Sequence, residues 1–346
     1  MTDWQNQLKN SLTSPEELSR ILGCDPAETA AVNSRYPLRI SPYYLELIKQ
    51  VGEPLFRQAV PDIQELEDPQ GMVDPLAEES QSPVPNLVHK YPDRALFLVS
   101  SQCAMYCRFC TRKRKVGKAS MRISQETLSA GLEYLRNTPQ IREVLISGGD
   151  PLLLPDERIE EILQRLREIK HVKVIRIGTR TPCTLPMRIT PKLVNMLKKY
   201  HPLYINTHFN HPAEITQQAE QACTLLANAG IPLGCQTVLL KGVNDSLSVI
   251  RELLYRLLEI RVRPYYLMQA DLTEGTAHFR TDIKTGLALM RGLIGTVSGM
   301  AVPTYILDAP EGKGKIPLTP DYIISHQDDK LEFENYQGVP CSYPFS

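Results

Sequence analysis

The chain predicts an α/β protein, a partial (β/α)6 barrel, and three observations predict it. Short apolar, β-branched runs recur near 94–101, 143–147, 173–179, 203–209, 233–240 and 262–268, at steps of about thirty residues after a longer first one. Amphipathic stretches fill the intervals: SQETLSAGLEYLRN, DERIEEILQRLREI, TPKLVNMLKKY and AEITQQAEQACTLLANAG. Strands alternating with helices at this spacing read as repeated βα units on a parallel sheet. Polar or glycine-rich elements also follow strand after strand, where such a barrel keeps its chemistry. A doubly wound sheet competes for the same pattern.

Residues 1–92 read as a helical and irregular region. SPEELSRIL and SPYYLELIKQV each carry an N-cap serine followed by proline at the first helical position. The proline-rich connector from Val60 to Arg94 reads as irregular. Residues 93–310 form the barrel core, and 311–346 a C-terminal segment.

Composition bounds the function. The 346 residues are 42% hydrophobic and 23% charged, ordinary for a globular protein. Lysine plus arginine balances aspartate plus glutamate at 39 each, so no general field draws the chain to nucleic acid or an anionic membrane. The polar N-terminus and the lack of a span-length apolar run predict a cytoplasmic protein with no membrane partner. Of eight cysteines, Cys24, Cys183, Cys223, Cys235 and Cys341 are scattered and read as small buried hydrophobes.

Cys103, Cys107 and Cys110 are different, clustered in CAMYCRFCTRKRK after the first strand. Structural zinc needs four ligands, usually in two pairs, and no second pair follows. A redox C-x-x-C leaves one thiol unexplained. Three thiolates on a four-iron cluster leave one iron open to a ligand, which points to catalysis more than to electron transfer. The rival from another class is a metal- or RNA-binding protein using RFCTRKRK as a basic patch. Zero net charge and the absence of interleaved aromatics oppose it.

C-x3-C-x2-C in this position, with SGGDP after the second strand, resembles the radical S-adenosylmethionine superfamily. SPVPNLVHKYPDRALFL, RIGTRTP, NTHFNHP, QTVLLKGVND, HFRT and LDAPEGKGKIPL narrow the resemblance to the lysine 2,3-aminomutase family, over most of the chain. The resemblance implies a radical-SAM (β/α)6 barrel and a 2,3-aminomutase, an isomerase converting L-lysine to β-lysine. A 5′-deoxyadenosyl radical abstracts hydrogen and the amino group migrates to the neighbouring carbon. It implies three cofactors: a [4Fe-4S] cluster on the triplet, S-adenosyl-L-methionine, and pyridoxal 5′-phosphate on Lys315. It also implies an electron donor such as flavodoxin or ferredoxin, and a homo-oligomer.

Residue by residue, Phe109, Ser147, Gly148, Gly149, Asp150 and His208 match positions that hold S-adenosylmethionine. Arg94 matches a phosphate-binding arginine, and Gln236 lies by the pyridoxal cofactor. Asp271 and Asp308 match the pair holding the substrate's distal ammonium, and Arg112 the partner of its α-carboxylate. Lys313 is the residue to confuse with Lys315. Lys113, Arg114 and Lys115 read as a solvated face. Three features depart from the family's pattern: the charges of Glu311 and Lys313, Met268 near the pocket, and Cys341 without the companions of a C-terminal zinc site. Two alternatives stay within the family: the branch that supplies (R)-β-lysine for elongation factor P, and an aminomutase for another amino acid.

Overall fold

The computed structural model describes residues 3–118, 121 and 123–345. Nine strands form one sheet in chain order: β1 (Leu87–Tyr91), β2 (Arg94–Ser100), β3 (Glu143–Gly148), β4 (Val174–Gly178), β5 (Leu203–Thr207), β6 (Leu233–Leu239), β7 (Val262–Gln269), β8 (Thr304–Ala309) and β9 (Gly314–Pro317). Neighbours from β2 to β8 pair in parallel, while β1 and β9 run antiparallel at the two edges. Helices Gln125–Arg136, Asp156–Arg167, Pro191–Leu197, Gln217–Asn228 and Leu247–Glu259 make the crossovers of β2 through β7, and Ile283–Leu293 leads to β8. The six expected strands are present, and β8 adds a seventh parallel one.

Both expected boundaries cut through this sheet. β1 lies inside the region read as irregular, and β9 lies inside the C-terminal segment. The connector also holds a short 3-10 turn, Ile63–Leu66. The N-terminal helices start where their caps place them: Ser14 accepts from the Glu17 amide, and Ser41 from the Tyr44 amide. A separate three-stranded antiparallel sheet follows: β10 (Ile323–His326), β11 (Lys330–Glu334) and β12 (Pro340–Pro344), with Cys341 on its last strand. Among the described residues no helix is long and apolar enough to cross a membrane.

The barrel strands bury one face and leave the other wet. Ile146, Ile177, Ile205, Leu233 and Val262 share a row under the helices and are fully buried. The opposite face carries Leu145, Arg176, Tyr204, Asn206, Gln236, Tyr266 and Met268, all partly or largely solvated. The outer face thus holds the hydrophobic core, and the inner face lines an open space. Side chains close the seam between the sheet's edges. The Lys315 amide on β9 donates to the Tyr91 hydroxyl on β1 at 3.2 Å, and Lys90 Nζ on β1 lies 3.8 Å from Asp308 on β8.

Candidate active site

The strand ends aim two sets of groups at the inner space. The first follows β2. Cys103, Cys107 and Cys110 ring one cavity, with Tyr36, Arg108 and Lys113 among its walls. Burial, and then the other thiols and Asp150, push the Cys103 thiol well up. Burial and Cys107 push the Cys110 thiol up to about 11. The Cys103 and Cys110 thiols therefore disfavour their own thiolates unless a cation joins them. Among the described residues no three such groups converge on one point as a single ion requires. A four-iron cluster instead spreads its thiolates over separate corners, and three cysteines around a shared cavity fit it.

The glycines after β3 fit against this loop. The Gly149 amide donates to Ser100 O at 2.6 Å, and the Asp150 amide to Gln102 O at 2.7 Å. A Cβ on Gly148, whose φ is +133°, would collide with the Ser100 carbonyl, and one on Gly149 would lie 2.5 Å from Gln102 O. The glycines therefore let the chain approach the base of the cysteine loop. The Asp150 carboxylate serves the same brace: it accepts from Thr179 Oγ1, the Arg180 amide and the Leu152 amide. Its oxygens bond within the protein, in the stretch that the resemblance assigns to S-adenosylmethionine. Ser147 stays partly solvated on the inner face.

Phe109 packs with Leu240, Val243 and Phe279, and meets the His208 ring edge-on at 5.6 Å. Burial, and then the Arg180 charge, lower His208 to about 3, so the ring is neutral. Asn210 Oδ1 already accepts from the Val238 amide, so His208 Nε2 donates to it at 3.1 Å and Nδ1 is left as an acceptor. Sequence reasoning missed Arg180, although it quoted the loop GTRTP. Its guanidinium spans Cys107 Sγ at 2.8 Å, Gln58 Oε1 at 2.6 Å and Glu214 Oε1 at 2.8 Å. An arginine directly after a barrel strand was the available signal.

The second set lies at the seam. Asp308 and Lys315 are opposed across β8 and β9, and their side chains form an ion pair. Burial and the adjoining Asp308 raise Asp271 to about 7. Lys313 points elsewhere: its side chain is 69% exposed and pairs with Glu311 at 2.7 Å, while that of Lys315 is 31% exposed. The two charges that depart from the family's pattern therefore face solvent together. The Arg94 guanidinium lies 3.9 Å over the ring of Tyr91, whose hydroxyl accepts from the Lys315 amide. Tyr266 feels the charges of both Arg176 and Arg94. An amine, two guanidinium groups and an open inner wall fit an aldehyde-bearing phosphate ester. Gln236 and Met268 stand on the same inner face.

The basic tail after Cys110 differs from expectation. Lys113 is buried, not solvated: its Nζ reaches Glu65 Oε2 at 2.8 Å, Gly275 O at 2.9 Å and Arg108 O at 3.0 Å. Arg114 pairs with Asp74 at 2.9 Å and Lys115 with Glu79 at 3.0 Å. Acidic residues of the connector supply every carboxylate partner here, which local sequence could not reveal. Arg112 is also engaged, by the buried Glu78.

Comparisons with known proteins agree with this geometry. The radical SAM superfamily matches residues 97–254, and the lysine-2,3-aminomutase family matches residues 290–345. L-lysine 2,3-aminomutase of Clostridium subterminale is 49% identical, across 99% of this chain and 83% of its own length. The enzyme of that name from Bacillus subtilis is 46% identical, across 99% and 74%. Glutamate 2,3-aminomutase of Clostridioides difficile is 45% identical, across 97% and 82%.

Proposed function

The chain belongs to the lysine 2,3-aminomutase family of radical S-adenosylmethionine enzymes, and from that premise we propose that it converts L-lysine to β-lysine. The observation that carries the choice of substrate is the carboxylate pair, Asp271 and Asp308, beside Lys315. Two acids crowded at a partly dry wall repel each other and call for a cation. Lys315 and Lys90 face Asp308. A lysine substrate brings its own distal ammonium once Lys315 is engaged elsewhere. A glutamate substrate would bring a further carboxylate, which this pair would reject.

When bound, the cluster with S-adenosylmethionine supplies a carbon radical that takes hydrogen from the substrate, and pyridoxal phosphate carries the migrating amino group. The chain's part is to hold and exclude. Cys103, Cys107 and Cys110 would hold the cluster and leave one iron open to S-adenosylmethionine. Phe109, packed with Leu240, Val243 and Phe279, would offer a dry wall to its adenine. His208 Nδ1 offers it a neutral acceptor. Lys315 would anchor pyridoxal phosphate through its amine, and Arg94 and Gln236 would hold the rest of the cofactor. Arg112 holds the substrate α-carboxylate. We read the protein as cytoplasmic and homo-oligomeric, reduced by a flavodoxin or ferredoxin.

The test is anaerobic reconstitution with iron, sulfide, pyridoxal phosphate, S-adenosylmethionine and a reductant, followed by mass spectrometry of a panel of amino acids. β-Lysine from L-lysine is the expected product. An inert lysine, with another amino acid rearranged, overturns the substrate assignment and leaves the family.

A further inference from the structure

Glu78 is a buried acid in the connector before β1, and none of the chemistry above uses it. Its carboxylate grips one side of Arg112: Nε at 2.9 and 3.0 Å, and Nη2 at 2.6 Å. Arg112 Nη1 is held at 3.4 Å by the carbonyl of Gly148, in the glycine stretch. A guanidinium has five N–H donors in a rigid plane. Glu78 and Gly148 take three, so one N–H on each terminal nitrogen is left for a ligand. A planar group clamped on one side and at one tip has no freedom to turn the remaining pair away.

The clamp's surroundings add to this. The same connector touches the Lys315 loop, where the Glu311 amide donates to Pro75 O at 3.0 Å and Gln81 Nε2 donates to Gly312 O at 3.1 Å. The charge of Glu78 also reaches Asp271. Glu78 thus stands between the group read as binding one end of the substrate and the acids read as binding the other. We propose that Glu78 is a positioning residue: it fixes the Arg112 plane so that its two free N–H groups meet the α-carboxylate of an amino acid. This rests on the proposed role of Arg112. An amino acid carboxylate has two sources here, the substrate and S-adenosylmethionine.

The experiment measures binding to the reconstituted holoenzyme, comparing each amino acid with its decarboxylated form. Glu78→Gln is expected to weaken L-lysine about ten-fold or more, since misplacing a bidentate clamp carries penalties of roughly that order. Cadaverine, which is lysine without its carboxylate, should bind as before. If S-adenosylmethionine weakens instead, with its decarboxylated analogue unmoved, the proposal stands and the carboxylate is that of S-adenosylmethionine. In an Arg112→Gln background Glu78→Gln should add nothing further. Equal weakening of acid and amine, no weakening of either acid, or an effect that persists without Arg112 overturns the proposal. Should Glu78→Gln not fold, Glu78→Asp withdraws the clamp by one methylene, keeps the charge, and is read in the same way. If the wild type binds no lysine, the substrate assignment falls. The same comparison, using the amino acid it does rearrange and that acid's amine, then judges Glu78.

Discussion

Asp308 and Lys315 sit directly opposite each other on the antiparallel pair β8 and β9, and their side chains form an ion pair on the inner side of the seam. The residue read as the cofactor's anchor therefore pairs with the carboxylate read as the substrate's. One cation gives way to another of the same chemistry, because both are lysine ammonium groups.

Lys315 and Lys313 should separate cleanly. Borohydride reduction of the pyridoxal-loaded protein, followed by peptide mass spectrometry, should place the tag on Lys315. Lys315→Ala should abolish the visible absorbance of the bound cofactor, and Lys313→Ala should leave it. A tag on Lys313 would reverse the assignment.

Asp308→Asn should lower kcat/KM for L-lysine about a hundred-fold or more, the range expected when one partner of a dry charge pair is removed. The iron content should not change. Steady-state kinetics beside an iron assay checks both.

Asp271 gives a pH signature. Its carboxyl is raised to about 7 by burial and by Asp308. The ionised form that binds a cation therefore fills as pH rises through 7, and the KM for L-lysine should fall from pH 6 to pH 8. The linkage has the opposite sign for stability. A carboxyl with a raised folded pKa costs stability as pH climbs from the ordinary carboxylate range through about 7. Asp271→Asn should therefore raise the melting temperature of the ligand-free protein at pH 8, not at pH 4, and should flatten the KM profile.

Gly148→Ala should be severe. The position has φ +133°, and an added methyl group collides with the Ser100 carbonyl. The cost is on the order of 1–3 kcal/mol from backbone strain alone. Thermal unfolding should report it, and iron incorporation should fall because the cysteine loop loses its brace.

Much of this was readable from local pattern. Six barrel strands announce themselves by apolar runs, regularly spaced after a longer first step, and the cysteine loop and SGGDP follow strand ends. β9 was hidden because four residues, two of them glycine and proline, make no periodic signal. β8 was hidden by the longer gap before it, which breaks the spacing of the other units. The burial of Lys113 depends on Glu65, and the clamp on Arg112 depends on Glu78. Both acids lie in a proline-rich stretch that carries no pattern, and only folding brings them to the cysteine loop. Asp150 shows the converse. A motif named its position, but its contacts show a carboxylate committed to Thr179, Arg180 and Leu152.

The seam between β1 and β9 has a mechanical meaning. Elsewhere the wall is stitched by backbone ladders, which part only when strands unfold. Here the Tyr91 hydroxyl accepts from the Lys315 backbone amide, and Lys90 meets Asp308 side chain to side chain. Such a seam parts for the loss of a few contacts, and one of its fasteners, the Asp308 carboxylate, is a group that the substrate would claim. The tube's girth is then set by its contents: a chain that has taken up its ligands and one that has not should differ along this line before they differ anywhere else.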